Sequence, residues 1–239
     1  MDETLVAEIR ARLEATQNKI ALAAQSAGRN PAAVRLVVVT KTHSLEMVKA
    51  AIEAGAQYLG ENYAEEALEK ITVIDAGRVE WHMIGHVQSR KADLIARHFD
   101  LMHSLDSLKL ASRLDRFCSE AERKLPVLLE VNVSGEESKF GYPAWKESQW
   151  PALRDEALKI ISLSHLQIRG LMTMPPFADE AEESRPYFVK MRGLQEYLLK
   201  QVPAAGWSEL SMGTSVDFTV AVEEGANLVR VGTAIMGLR

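Results

Sequence analysis

Three groups of residues have types and spacing that could do chemistry. The first is Lys41 in "VVVTKTHS" (37–44), a lysine where a run of β-branched residues should emerge into a loop, with no acidic neighbour in sequence to neutralise it. The other two are "SMGTS" (211–215) and "VGTAIMG" (231–237), turns rich in small and hydroxyl residues. In the first turn Gly213 lets backbone approach a ligand while Ser211 and Ser215 carry hydroxyls; in the second, Gly232 and Thr233 offer backbone amides and a hydroxyl. Brought together they would cradle one phosphate, because exposed amides and helix starts favour an anion. Taken singly, each is equally an ordinary turn. Lys41 has three roles open to it: a solvated surface charge, a counter-ion to phosphate, or a nucleophile forming a Schiff base with an aldehyde or ketone. The last requires the neutral amine, which burial among apolar strands favours.

The elements that must position these groups are legible in the apolar pattern. Eight short runs, "RLVVVT", "AQYLGE", "VEWHMIG", "DLMHSL", "PVLLEVNV", "LQIRGLMT", "SELSMG" and "NLVRVGTAI", alternate with amphipathic segments such as "SLEMVKAAIEAG" and "ESRPYFVKMRGLQEYLLKQV". A strand followed by a helix eight times over predicts an α/β fold, a single (β/α)₈ TIM barrel. In such a barrel, functional groups come from the C-terminal ends of the strands, and the loops after the seventh and eighth commonly bind phosphate. Closure would set strand one beside strand eight and so bring Lys41 to the rim that holds both turns. A doubly wound open sheet is the alternative, and pairing of the first and last strands discriminates the two. Leu5, Ile9, Leu13, Ile20 and Ala24 recur at helical spacing, so an extra N-terminal helix is expected, stopped by Gly28 and Pro31. "AIEAGAQYLGEN" (51–62) and "AVEEGANLVRVGTA" (221–234) echo one another as helix end, capping glycine and strand. No linker divides the chain, which predicts one domain over 1–239.

Composition excludes several classes. Of 239 residues, 47% are apolar and 26% charged, the balance of a globular protein. With 28 basic and 33 acidic residues the net charge is −5, which argues against a generalised nucleic-acid surface. Cys118 is the only cysteine, so no internal disulfide exists and a reducing compartment is favoured. The N-terminus lacks a secretion signal and no segment is long and apolar enough for a bilayer, so a cytoplasmic location without membrane contact is expected. No metal site is expected.

Five ordered stretches carry a more specific signal: "VVVTKTHSLEMVKAAIEAGAQYLGENYAEEALEK", "WHMIGHVQSRK", "VNVSGEESKFGY", "RGLMTMPP" and "LSMGTSVDFTVAVEEGANLVRVGTAIMG". Together they resemble the pyridoxal phosphate homeostasis protein family, stand-alone relatives of the alanine racemase barrel, from about Val37 to the C-terminus. The resemblance implies a fold-type III barrel that binds pyridoxal 5′-phosphate (PLP) as an internal aldimine on Lys41. It further implies that Ser215, Gly232 and Thr233 are phosphate ligands, with Ser211 and Gly213 shaping the same wall. Asn62 and His82 become rim residues near the ring, and Met172, with Met174, flanks it. Packing is the alternative for these four, Asn62 as a helix cap, His82 as a core histidine and the methionines as ordinary core. By the same resemblance Arg230 faces the pyridine nitrogen. Arginine can only donate, so that nitrogen must stay unprotonated, and an unprotonated ring is a weaker electron sink.

The chain also departs from the family pattern. His86, Val87 and Arg90 stand where proline, leucine and asparagine are usual, Thr40 where serine is common, and Thr214 where methionine is usual. None of these removes an expected ligand of the cofactor. Three functions compete. One is a monomeric PLP-binding protein that holds the cofactor and supplies it to PLP-dependent apoenzymes, without robust catalysis of its own. Another is an amino-acid racemase, which needs a proton acceptor on each face of its substrate; in the racemase relatives a second, β-rich domain supplies one, and the sequence ends at Arg239 without it. The third is a cofactor-free Schiff-base aldolase acting on a phosphorylated sugar, which leaves Arg230 without a ring nitrogen to meet. Lys91 and Lys139, in "QSRK" and "ESKFG", are either secondary cofactor contacts or exposed lysines.

Overall fold

The computed structural model describes residues 2–75 and 77–237. It begins with α1 (Glu3–Ser26), capped by Asp2, whose Oδ1 accepts from the amides of Thr4 and Leu5 at 2.9 and 3.3 Å. The expected stripe is its buried face: Ile9, Leu13, Ile20 and Ala24 are covered, joined by Thr16 and Ala23. It packs against α2 (Leu45–Glu53), α8 (Phe218–Glu223) and α9 (Thr233–Met236). The strands are β1 (Arg35–Val39), β2 (Tyr58–Glu61), β3 (Glu80–Met83), β4 (Leu101–Leu105), β5 (Leu125–Asn132), β6 (Tyr142–Pro143), β7 (Leu166–Met172), β8 (Glu209–Ser211) and β9 (Leu228–Val231). Between them run α3 (Ala64–Ile71), α4 (Ala92–His98), α5 (Leu108–Glu120), α6 (Trp150–Ile161) and α7 (Arg185–Gln201).

All eight expected strands are present. The first and last pair in parallel, Arg35 opposite Leu228 through Val38 opposite Val231, and β4 pairs with β5, so the sheet closes into a (β/α)₈ barrel and the open alternative falls. The sequence does not foretell β6, a two-residue strand that adds to the end of β5 at Val131 and Asn132. Strands covered on both faces are apolar throughout rather than alternating. Leu36, Val38, Leu59, Trp81, Val127 and Leu129 pack in the main core with the helices, whereas Val37, Leu101, Leu128, Met172 and Leu228 fill a separate cluster within the barrel. The internal echo is real in backbone geometry: Gly55 and Gly225 follow α2 and α8 with φ of +112° and +110°, and each leads into a barrel strand. Among the described residues no helix is long and apolar enough to cross a membrane, and no cluster of side chains could hold a metal ion.

Candidate functional site

A cavity of about 520 Å³ lies at the C-terminal ends of the strands and is lined by Lys41, Asn62, Glu130, Lys139, Met174, Ser215, Arg230, Gly232 and Thr233, among others. Its size falls within the range of small-molecule sites. Lys41 follows β1 and is half-buried. The turn that carries it is strapped from below. Thr42 has a φ of +63°, rare for a β-branched residue, and its amide donates to Glu66 Oε1 at 2.6 Å. Lys70 Nζ donates to Glu66 Oε1, Glu61 Oε1 and the Thr40 carbonyl at 2.6, 2.8 and 2.9 Å, while Thr40 Oγ1 donates to Glu61 Oε1 at 2.7 Å. Lys70 and Glu61 are both buried; burial lifts the Glu61 carboxyl above its usual value, opposed by its bonds to Lys70 and Thr40. The backbone on either side of Lys41 is thereby held by α3, through an i, i+4 pair in "AEEALEK".

The two phosphate-type turns meet. Gly232 donates its amide to Ser215 Oγ at 3.3 Å, and Ser215, Gly232 and Thr233 face the cavity. Gly232 and Thr233 open α9, where the first amides have no intrahelical acceptor. The loop before α8 is shaped by the buried carboxylate of Asp217, which accepts from the Thr214 amide and hydroxyl at 2.6 and 3.0 Å. Gly213 has a different role from the one expected. With φ at +92°, a Cβ there would lie 2.6 Å from Ala221 Cβ and 2.9 Å from Phe218 Cα, so it lets α8 pack tightly behind the turn and does not line the cavity.

Beneath the cavity the barrel interior turns polar. His103 and Arg230 lie two residues beyond Leu101 and Leu228 and so share their inward face. Arg230 is buried; it donates to Ser211 Oγ, to the Thr173 carbonyl at 2.9 Å and to Met174 Sδ at 2.8 Å. Burial lowers its pKa to about 10, against Asp217 and Glu130, which leaves it charged at neutral pH. His103 lies 2.8 Å from Ser211 Oγ through Nδ1 and 3.0 Å from His82 Nδ1 through Nε2. Burial holds both imidazoles below their ordinary range. His82 and Ser211 are thus not at the rim or on the phosphate wall; they lie fully buried in the layer below, as does Met172, since inward strand positions one layer down are occluded by the floor itself. Asn62 does line the cavity, and the cap of α3 is Tyr63 instead.

Glu130 escapes sequence reasoning, although a lone acid inside "PVLLEVNV" is a signal. It is buried, its Oε2 has no hydrogen-bond partner among the described residues, and burial with the nearby Asp106 charge pushes its pKa up to about 7 despite Arg230. His86, one of the departures, has its Nδ1 2.9 Å from Asp106 Oδ2 and stacks on Phe140, centroids 3.9 Å apart and planes 11° from parallel, along one side of the cavity. Val87 and Arg90 do not line it. Lys139 does; Lys91 instead pairs with Glu65 outside. Cys118 is buried on α5, its thiol pushed up to about 11 by burial.

The profile of the alanine racemase N-terminal domain matches residues 11–239. A relative called "Pyridoxal phosphate homeostasis protein", from Pasteurella multocida, is 39% identical over 97% of this chain and 97% of its own length. The chain belongs to this family. Among solved structures, that of PipY of Synechococcus elongatus with PLP bound superposes at a TM-score of 0.81 with 34% identity, covering 96% of this chain and all of that one. An alanine racemase of Clostridium difficile, 16% identical and matched over 56% of its length at a TM-score of 0.71, shares the family's fold. Apart from Glu130, the residues that line the cavity fall in the five stretches quoted above, and Glu61 and Lys70 beneath Lys41 lie in the same stretch as Lys41 itself.

Proposed function

We propose that this protein binds pyridoxal 5′-phosphate in the barrel cavity and acts in cellular PLP homeostasis, holding the cofactor and releasing it to PLP-dependent apoenzymes, with no robust turnover of its own. The observation that carries the reading is convergence: a lysine, a two-turn hydroxyl and amide cradle, and a buried arginine, far apart in sequence, border one cavity of about 520 Å³. These groups fit the cofactor's chemistry. Ser215, Gly232 and Thr233 would hold the phosphate, Lys41 Nζ would bond the aldehyde carbon, and Arg230 would meet the ring nitrogen, with Asn62 at the side and Met172 under the floor. PLP supplies a reactive aldehyde and an electron-withdrawing ring. Because Arg230 only donates, the nitrogen facing it stays unprotonated and the ring withdraws electrons weakly, which favours storage over carbanion chemistry. In this reading the chain is one domain over 1–239, a cytoplasmic monomer that contacts neither nucleic acid nor membrane.

The test is the absorbance spectrum of protein loaded with PLP, before and after borohydride, followed by peptide mapping. The expected result is a yellow band that reduction removes, with the pyridoxyl label on Lys41 and no band in Lys41→Ala. Protein that stays colourless with added PLP refutes the reading, and a saturable alanine racemisation rate lost in Lys41→Ala refutes the non-catalytic part of it.

A further inference from the structure

Five side chains, Arg230, Ser211, His103, His82 and Glu80, form a line from the cavity floor toward the base of the barrel, and the chemistry of its upper end sets the direction of the hydrogen bonds in it. At the upper end the Arg230 guanidinium donates to Ser211 Oγ, and a guanidinium has donors only. From Ser211 the line passes to His103 Nδ1 at 2.8 Å and from His103 Nε2 to His82 Nδ1 at 3.0 Å. His82 Nε2 faces Oε2 of Glu80 at 3.5 Å, too long for a strong hydrogen bond. Glu80 is the exposed first residue of β3, and a carboxylate has acceptors only. Burial lowers the pKa of both imidazoles; at His103 the neighbouring His82, Arg230 and Arg35 add to it, and at His82 Glu80 and Asp100 oppose it while Arg35 adds.

Starting from the donor-only guanidinium, one arrangement gives every proton between Arg230 and His82 an acceptor and leaves only the His82 Nε2 proton, turned toward Glu80 at 3.5 Å. Ser211 donates to His103 Nδ1, His103 carries its proton on Nε2 and donates to His82 Nδ1, and His82 carries its own on Nε2, facing Glu80. The reverse arrangement would leave the fully buried Ser211 hydroxyl proton without an acceptor and turn a ring lone pair toward a carboxylate.

We propose that Ser211, His103 and His82 are positioning residues that lock the Arg230 guanidinium through this one-way line, so that it presents fixed donors to a ligand in the cavity. An arginine has five N–H groups; three go to Ser211, Thr173 and Met174, which leaves two. The ligand atom that meets them must be an acceptor. Its identity as a ring nitrogen rests on the PLP reading above, while the line itself does not.

The experiment uses the full chain, freed of cofactor and labelled with ¹⁵N-histidine, in two-bond ¹H–¹⁵N spectra from pH 6 to 8. His82 and His103 are expected as neutral rings protonated on Nε2 at pH 7 and above. Ser211→Ala is expected to perturb both rings, and Ser211→Thr, which keeps the hydroxyl, to restore the wild-type pattern. Either ring protonated on Nδ1, or doubly protonated at pH 7, overturns the line, and the wild-type spectrum decides this without any variant. In PLP titrations followed by absorbance, Ser211→Ala is expected to bind about tenfold more weakly and Ser211→Thr as wild type. Equal affinity in Ser211→Ala overturns the positioning role. Wild-type protein that binds no PLP refutes the functional reading instead, and the spectra still decide the line.

Discussion

Replacing Glu130 by glutamine should favour the fold more at alkaline pH than in acid. The carboxyl titrates at about 7 in the fold, against an ordinary value of 4.5, because its burial has no compensating hydrogen bond at Oε2. At about 1.4 kcal/mol per pH unit, the buried anion is disfavoured by about 3 kcal/mol. The folded pKa lies above the unfolded one, so the folded state keeps the proton longer. Its contribution is therefore most favourable below pH 4.5, declines as pH rises, and reaches its full cost above 7. Glutamine has nearly the same shape and cannot ionise; burying its amide costs a similar amount at every pH. The discriminating quantity is thus the change in the variant's advantage between two pH values, about 2 to 3 kcal/mol larger at pH 8 than at pH 5. Urea denaturation of both proteins without ligand measures it directly. An advantage equal at pH 5 and 8 would show that Glu130 ionises freely and that the cavity floor is wetter than its burial implies.

Lys70→Met should cost about 3–5 kcal/mol of unfolding free energy, since it leaves Glu61 buried without its cation; it should also slow pyridoxyl labelling of Lys41 by releasing Thr42 from its strap, which timed borohydride trapping would read. Ser215→Ala should weaken PLP binding by about tenfold without a comparable loss of stability, as judged by absorbance titration beside thermal melting. Gly213→Ala should destabilise by about 1–3 kcal/mol, because its Cβ would press into Ala221 in a left-handed backbone, and denaturant midpoints would register it.

The barrel was legible because parallel strands covered on both faces are written as unbroken apolar runs, and "RLVVVT" and "PVLLEVNV" cannot be mistaken for exposed loops. That Lys41, Ser215, Gly232 and Thr233 would border one cavity was legible for a related reason: barrel cavities sit just past strand ends, which sequence marks clearly. Depth was not legible. His82, Ser211 and Met172 lie on the same strands as the rim groups, and only closure shows that they fall a layer lower, packed with His103 and Arg230. Glu130 and Lys70 were missed because a buried charge is recognisable only once its surroundings are known. The two-residue β6 lacks any periodicity to detect.

The pairing of β1 with β9 also governs when the site can exist. During synthesis Lys41 leaves the ribosome well before Ser215 and Thr233, and the hydrogen bond between Gly232 and Ser215 waits for both later turns. Most of the chain must be made before the cavity has a second wall. A chain made only as far as β8 would carry the lysine without the cradle and so, under the proposed function, could react with a free aldehyde but not retain a phosphorylated one. Ligand retention therefore reports closure of the barrel, and because it draws on the pairing of β1 with β9 it would be lost when either strand loosens.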